Sequence, residues 1–562
     1  MNDPHDLDLL GRSFSRRRLI TSGAAGAGLL LLPSCGESAG GPTFAGRPRA
    51  DIVLKAQRAT IDLAGRTAAT WTYDGRLPGR EIRLRQGRKV RIRLDNDLPE
   101  ATTIHWHGIR LANAMDGVPG LTQSAVRPGD SFLYEFTPPD AGTYVFHPHV
   151  GVQFDRGLYG PLIVEARDEP LRYDDEAVLV LDDWLDGLAG TPIGRLAELR
   201  RKGMAMAGGM AGDDKSGTSG MGGMDMGGSS TTTTTTTKPG TGMGGMEMGG
   251  TGPGAGSGAM TMNGLAMRGA DRGHTTLAGA APPAGHLAGL ANDMEANRVD
   301  VGDVAYPLHL VNGQPAKDPF VKRVKKGDRV RMRLINIAGD TIYCFFVEGH
   351  ELTVTHADGQ PVEPVTTDAL LVGMGERYDV LIDAKAGGSS RILAFPVGKR
   401  DGAAVGVLRY ADARGSADLR APVTMPRRIA SYSDLRDAEA FDAPAAPSLR
   451  RADLAMDMSK RYGWTIGGKA GLGAPAITAA KGEAVRLAMR NMSNMPHPMH
   501  LHGHFFRPVL EGRLGPRKDT ILVPPMTEVA VDLVADNPGK WAFHCHNAYH
   551  ADAGMERTFQ VA

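Results

Sequence analysis

Three stretches of the chain repeat one pattern of apolar and polar positions at fixed offsets. Gln86-Gly87, Lys326-Gly327 and Lys481-Gly482 are each followed by Val three places after the Gly, Arg four after and Asn nine after. The runs Val90 to Leu94, Val330 to Leu334 and Val485 to Met489 alternate with period two. That alternation predicts a half-buried strand with one face on a core, and the Gly supplies the turn before it. Three strands in one register predict three copies of a β-sandwich domain in an all-β chain. Copies one and three also end alike, since Gly142 to His149 parallels Gly539 to His546. The corresponding stretch of copy two, Arg391 to Pro396, contains no histidine, so the middle copy reads as structural. Domains are expected over 48–168, 170–415 and 425–562.

Two segments break the pattern. Residues 203–270, within an insert at about 197–300, are mostly Gly, Met, Thr, Ala and Ser, with no aromatic side chain. Such a stretch buries too little surface to offset its chain entropy, and disorder is expected. It nevertheless holds twelve of the 26 methionines, from Met204 to Met267. Exposed thioethers serve no packing purpose there, but they are soft ligands that select Cu(I). Residues 1–40 read as an export signal: Ser15-Arg16-Arg17 resembles a twin-arginine leader, followed by an apolar run from Thr21 to Leu32 too short to span a bilayer. An exported protein without a transmembrane segment is expected, periplasmic or extracellular. Lipid anchoring through Cys35 ranks second.

Charge and cysteine content narrow the function. Lys and Arg total 64 against 63 Asp and Glu, which argues against a nucleic-acid partner. Three cysteines, Cys35, Cys344 and Cys545, exclude a disulfide scaffold. Cys344 reads as a buried strand cysteine.

Histidine carries the chemistry. Ten of seventeen fall in four motifs: His105-Trp106-His107, His147-Pro148-His149, His497-Pro498-Met499-His500-Leu501-His502, and His544-Cys545-His546 with His550 and Met555 nearby. Residues i and i+2 of a strand share a face, so each His-x-His aims two imidazoles at one point. Cys545 then faces away from His544 and His546, and one strand can serve two metal sites back to back. Cys thiolate, two imidazoles and a weak axial Met suit a blue-copper centre, which Cys545, His550, Met555 and His497 would form. Eight imidazoles remain, enough for a cluster of three metals. Zinc is the rival metal, but four tetrahedral ligands would leave most of the set idle. His309, His350, His356 and His504 lie outside paired motifs and read as non-ligands.

These motifs, in this order, resemble the copper signatures of three-domain multicopper oxidases, a family that includes laccases, cuprous oxidases and bacterial copper-resistance oxidases. The likeness extends to Asp116-Gly117-Val118-Pro119-Gly120, Met374-Gly375-Glu376-Arg377-Tyr378 and Lys518-Asp519-Thr520. It implies three cupredoxin-like Greek-key sandwiches and four copper ions. Type 1 copper would take His497, Cys545, His550 and Met555. Type 2 would take His105 and His500. The type 3 pair would take His107, His147 and His546 on one ion, and His149, His502 and His544 on the other. Electrons would pass through Cys545 to the cluster, where O2 becomes water. Asp116 occupies the place of one proton-supplying acid; the second is replaced by Ala551, with Asp552 as a substitute. The reductant is Cu(I), a phenol or an aromatic amine. Cuprous oxidases carry Asp and Met ahead of the type 1 motif, where this chain has Ser493 and Met495, so Met495 joins the methionines of 203–270 as a candidate Cu(I) ligand. A monomer acting in copper tolerance is expected. A phenol-oxidising laccase and a non-enzymatic copper-sequestering protein are the alternatives.

Overall fold

The computed structural model describes residues 48–203, 302–399, 402–414, 417–439, 449–459 and 461–562, together with the backbone of 274–275. The leader, Cys35 and the methionines of 204–270 therefore lie outside the described residues.

The three repeated strands occupy equivalent places in three sandwiches. Val90–Asn96, Arg329–Asn336 and Ala484–Asn491 each pair in parallel with the first long strand of their domain, Ile52–Asp62, Asp175–Trp184 and Arg450–Ser459. Each pairs antiparallel on its other side with Ser131–Phe136, Arg377–Asp383 and Glu528–Val534. The second sheet of the first domain runs Ile82–Arg85, Gly160–Glu165, Gly142–His147, His105–His107. That of the third runs Ile477–Ala479, Glu556–Val561, Gly539–Cys545, His497–Leu501, Thr520–Val523. The fold is all-β and cupredoxin-like in all three copies.

The repeated Asn has one job throughout. Asn96, Asn336 and Asn491 are buried at the strand ends. Their amides donate to Glu100 O and Val126 O, to Thr341 O and Val372 O, and to Met495 O and Pro524 O. Their side-chain oxygens accept from the N–H two residues on, at 2.9–3.0 Å. A short side chain with both donor and acceptor is needed to tie off this turn.

Two features depart from the sequence expectation. The polar face of the middle strand is not solvated: Arg331 and Arg333 are buried and converge on Asp379 at 2.6 and 3.0 Å, beside Thr143 of the first domain. That face is an interface between domains. A helix also forms at Pro192–Lys202, with Thr191 as N-cap accepting from Gly194 N and Pro at its start. No helix among the described residues is long and apolar enough to cross a membrane.

The domains also meet around a buried carboxyl. Asp155 Oδ2 accepts from Tyr306 at 3.1 Å and Tyr549 at 2.6 Å. Burial, reinforced by Asp183, pushes Asp155 well above the usual carboxylate range. Such a group keeps a proton that the unfolded chain sheds. Stability therefore falls as pH climbs from about 4 toward the folded value, by about 1.4 kcal/mol per unit. Asp155→Asn removes that term, so thermal melts of the metal-free variant will lose less stability than wild type between pH 5 and 8. Parallel melting curves across that range contradict this.

Candidate metal centre

The strand Gly539–Cys545 and its neighbour His497–Leu501 separate two groups of side chains. In the antiparallel register His500 lies opposite His544, and Met499 opposite Cys545. Adjacent positions face opposite sides, so the imidazole pair and the thiol point away from each other.

On the thiol side, Cys545 Sγ lies 3.8 Å from His497 Nδ1 and 3.6 Å from His550 Nδ1, and these nitrogens are 3.1 Å apart. All three residues are fully buried. Met555 is also buried; its carbonyl accepts from Cys545 N and its N–H donates to His550 O. His550 is placed by the short helix Ala548–Asp552, whose N-cap Asn547 accepts from the N–H groups of Tyr549 and His550. The outer ring nitrogens are held as well, His497 Nε2 by Ser493 Oγ at 2.8 Å and His550 Nε2 by Asp303 Oδ2 at 3.0 Å. Burial opposes a charge on His550, but Asp303 and Cys545 outweigh it and push the ring up to about 10. Trp464 covers both rings, 5.0 and 4.3 Å from their centroids.

On the other side eight imidazoles converge from the first and third domains. His107 Nδ1 lies 3.5 Å from His147 Nε2, which is 3.4 Å from His546 Nε2. His544 Nε2 lies 3.4 Å from His149 Nε2 and 3.0 Å from His502 Nε2. His105 and His500 each leave a buried Nε2 with no protein partner. The opposite nitrogens are tied down: His105 Nδ1 donates to Asp116 O, His500 Nδ1 to Asp519 O, His147 Nδ1 to Pro148 O and His544 Nδ1 to Cys545 O, all at 2.8–3.0 Å. His502 Nδ1 donates to Asp116 Oδ2 at 2.8 Å.

This bonding tests the site for metal. A carbonyl or carboxylate acceptor puts the ring proton on Nδ1 and leaves Nε2 as a bare lone pair. His502 and His544 therefore present two lone pairs to each other at 3.0 Å, an arrangement that repels unless a cation lies between them. Burial, aided by neighbouring imidazoles, drives His107, His147, His149, His502 and His546 well below the usual histidine range and His544 down to about 3. Neutral rings are the ligating form, and on the thiol side a bound cation would displace the proton that Asp303 and Cys545 hold on His550. The triads His149/His502/His544, His105/His500/His502, His105/His107/His147 and His497/Cys545/His550 each bring their ligand atoms within 4.8 Å of one another. The residues fit metal on both sides of the strand.

Three sequence models described as multicopper oxidase match residues 55–169, 290–413 and 446–562. Multicopper oxidase MmcO of Mycobacterium tuberculosis is 33% identical over 576 residues, covering 98% of both chains. The chain belongs to the multicopper oxidase family. Copper resistance protein A of Escherichia coli is 25% identical over 654 residues, covering 97% of this chain and 98% of its own. The crystal structure of the laccase from Botrytis aclada shares the fold, with TM-score 0.66 and 24% identity over 91% of this chain and 87% of its own. This multicopper oxidase is thus a copper-binding oxidoreductase.

Asp116 is buried against His105 and His502. Asp552 is not drawn into the cluster: His550 points inward, but two residues further along the helix Asp552 faces outward and pairs with Arg200 at 2.9 Å. Met495 is 1% exposed and packed in the core, so its thioether is not offered at the surface. His309, His350, His356 and His504 bond to Tyr343, Tyr410, Thr355 and His502 O, away from the ligand triads. Cys344 is buried in Tyr343–Val347, and burial pushes its thiol up to about 12. Asp303 escaped the sequence reading. It reaches His550 across 247 positions, and no local motif marks it.

Proposed function

We propose that this oxidase couples one-electron oxidation of a small reductant at a type 1 copper to four-electron reduction of O2 to water at a trinuclear copper cluster. Type 1 copper is held by His497, Cys545, His550 and Met555, and type 2 by His105 and His500. The type 3 ions are held by His107, His147 and His546 and by His149, His502 and His544, four ions in all. The observation that carries the reading is the register that puts His500 opposite His544 on one face and Met499 opposite Cys545 on the other.

When bound, copper supplies the single-electron steps between reductant and O2. The protein contributes geometry, dryness and proton placement. Cys545 joins the two sites through its peptide bonds to His544 and His546. Asp116 keeps the proton on Nδ1 of His502 and His105, so that their Nε2 atoms stay available. Ser493 and Asp303 do the same for the outer nitrogens of His497 and His550. Trp464 shields both rings from water.

The reductant is Cu(I), and the role is copper tolerance. The methionines of 203–270 and the relative named copper resistance protein A support this reading. The paired arginines at 16–17 support twin-arginine export to the periplasm or exterior. Every ligand comes from one chain, in keeping with a monomer. Deleting residues 203–270 will lower Cu(I) turnover several-fold and leave phenol oxidation intact or improved. Equal loss toward both substrates contradicts the Cu(I) assignment.

A further inference from the structure

The middle domain supplies none of the proposed ligands, yet one of its turns touches the rings of both neighbours. Gly375 has φ +84° and donates its N–H to Asn336 O at 2.8 Å. A Cβ placed there would lie 2.8 Å from His546 Cδ2 and Cγ and 3.0 Å from His107 Cε1. These two rings come from the third and first domains. Two independent constraints thus demand Gly: the left-handed backbone and the absence of space for any side chain.

Two residues on, Arg377 is fully buried and grips Asp519 with both arms, Nη1 to Oδ1 at 2.7 Å and Nη2 to Oδ2 at 2.5 Å. The same guanidinium donates to Gly375 O at 2.8 Å and to Thr143 O in Gly142–His147 at 3.3 Å. One side chain therefore spans all three domains. Asp519 passes the restraint to the rings: its carbonyl accepts from His500 Nδ1, and its Oδ1 lies 3.3 Å from His107 Nε2. Thr520 Oγ1 donates to Asp519 Oδ1 at 2.8 Å and lies 3.2 Å from His107 Nε2. Lys518 fixes the segment from behind, 2.9 Å from Asp358 and 3.1 Å from Glu376 of the middle domain. Asp358 Oδ2 in turn accepts from the N–H groups of Asp519 and Thr520.

We propose that Gly375 and Arg377 form a clamp that sets the spacing between His107 of the first domain and His500 and His546 of the third, with Gly375 as its contact surface and Arg377 as its tie. Both are positioning residues, acting through Asp519, His107, His500 and His546. Fully buried ion pairs contribute little net stability compared with apolar packing, and a role in fixing one arrangement accounts for their presence here. The planar two-armed grip is specific to Arg; Lys offers only a point charge.

The inference rests on the ligand assignment above and is tested on the full copper-loaded chain. Gly375→Ala, Arg377→Lys and Arg377→Met are compared with wild type by total copper per chain, by the visible thiolate-to-copper band, and by chelator competition for the copper beyond the Cys545 site. The clamp predicts that Gly375→Ala keeps the visible band while total copper falls. Its remaining cluster copper will bind about 10–100-fold more weakly, as when groups that orient ligands are lost. Arg377→Met will behave likewise, and Arg377→Lys will fall between it and wild type. If Arg377→Met does not fold, Gly375→Ala and Arg377→Lys decide the matter. Unchanged copper content and affinity, or loss of the visible band in step with total copper, overturns the clamp. A wild-type chain holding only the Cys545 copper removes the ligand assignment itself, and the clamp with it.

Discussion

A Cys545→Ser chain will be colourless and will not consume O2 above background, although it will fold. The substitution nearly preserves volume, and the backbone bond from residue 545 N to Met555 O survives it. What goes is the thiolate. Cys545 Sγ sits 3.6–3.8 Å from two imidazoles in a fully buried pocket, and a hydroxyl there is a harder, far less acidic donor. The loss is double, because the same residue also joins the two metal sites through its own peptide bonds. Electronic absorption and an oxygen electrode check both effects. A variant that stays blue, or that keeps turnover within tenfold of wild type, contradicts the assignment.

The second large effect falls on Asp116. Its Oδ2 accepts from His502 Nδ1 and its carbonyl from His105 Nδ1, so one residue orients a ring from each of two domains. Asp116→Ala orphans the His502 N–H and is expected to cost about 10–100-fold in turnover, with the visible band retained because Cys545 lies on the opposite face. Asp116→Asn separates orientation from proton supply. The amide oxygen can still accept the His502 proton but cannot carry one. Its deficit will therefore be smaller than that of Ala and will deepen as pH rises and protons grow scarce. A pH profile of Asp116→Asn that parallels wild type removes the proton role and leaves positioning alone.

The sequence was informative where chemistry is local. Period-two alternation from Val90, Val330 and Val485 announced three equivalent strands, and the Asn nine places after each Gly marked their common register, although its part in closing the turn shows only in its hydrogen bonds. His-x-His spacing indicated which rings converge: His105 and His107 share a strand face, while His149, His502 and His546 lie just past the ends of their strands. Legibility failed where the partner lay far along the chain or where the period changed. Asp303 and His550 lie 247 positions apart and meet only in the tertiary structure. Asp552 sits at the end of a single helical turn, Ala548–Asp552, and its carboxylate pairs with Arg200, a contact that no spacing in the sequence marks. Thr191-Pro192 was a readable helix start that the strand pattern overshadowed. The middle copy, lacking histidine at Arg391 to Pro396, read as merely structural, yet Arg331 and Arg333 lie in its interface with the first domain and Gly375 touches the rings.

The proposed reaction needs one thiolate-bound copper on one face of Gly539–Cys545 and a three-copper cluster on the other. Metal analysis of the purified, copper-loaded chain, read with its visible and EPR spectra, counts these ions. Four copper ions per chain are expected, one of them giving the blue thiolate band. Zinc in these sites, or a single copper per chain, contradicts the proposed reaction.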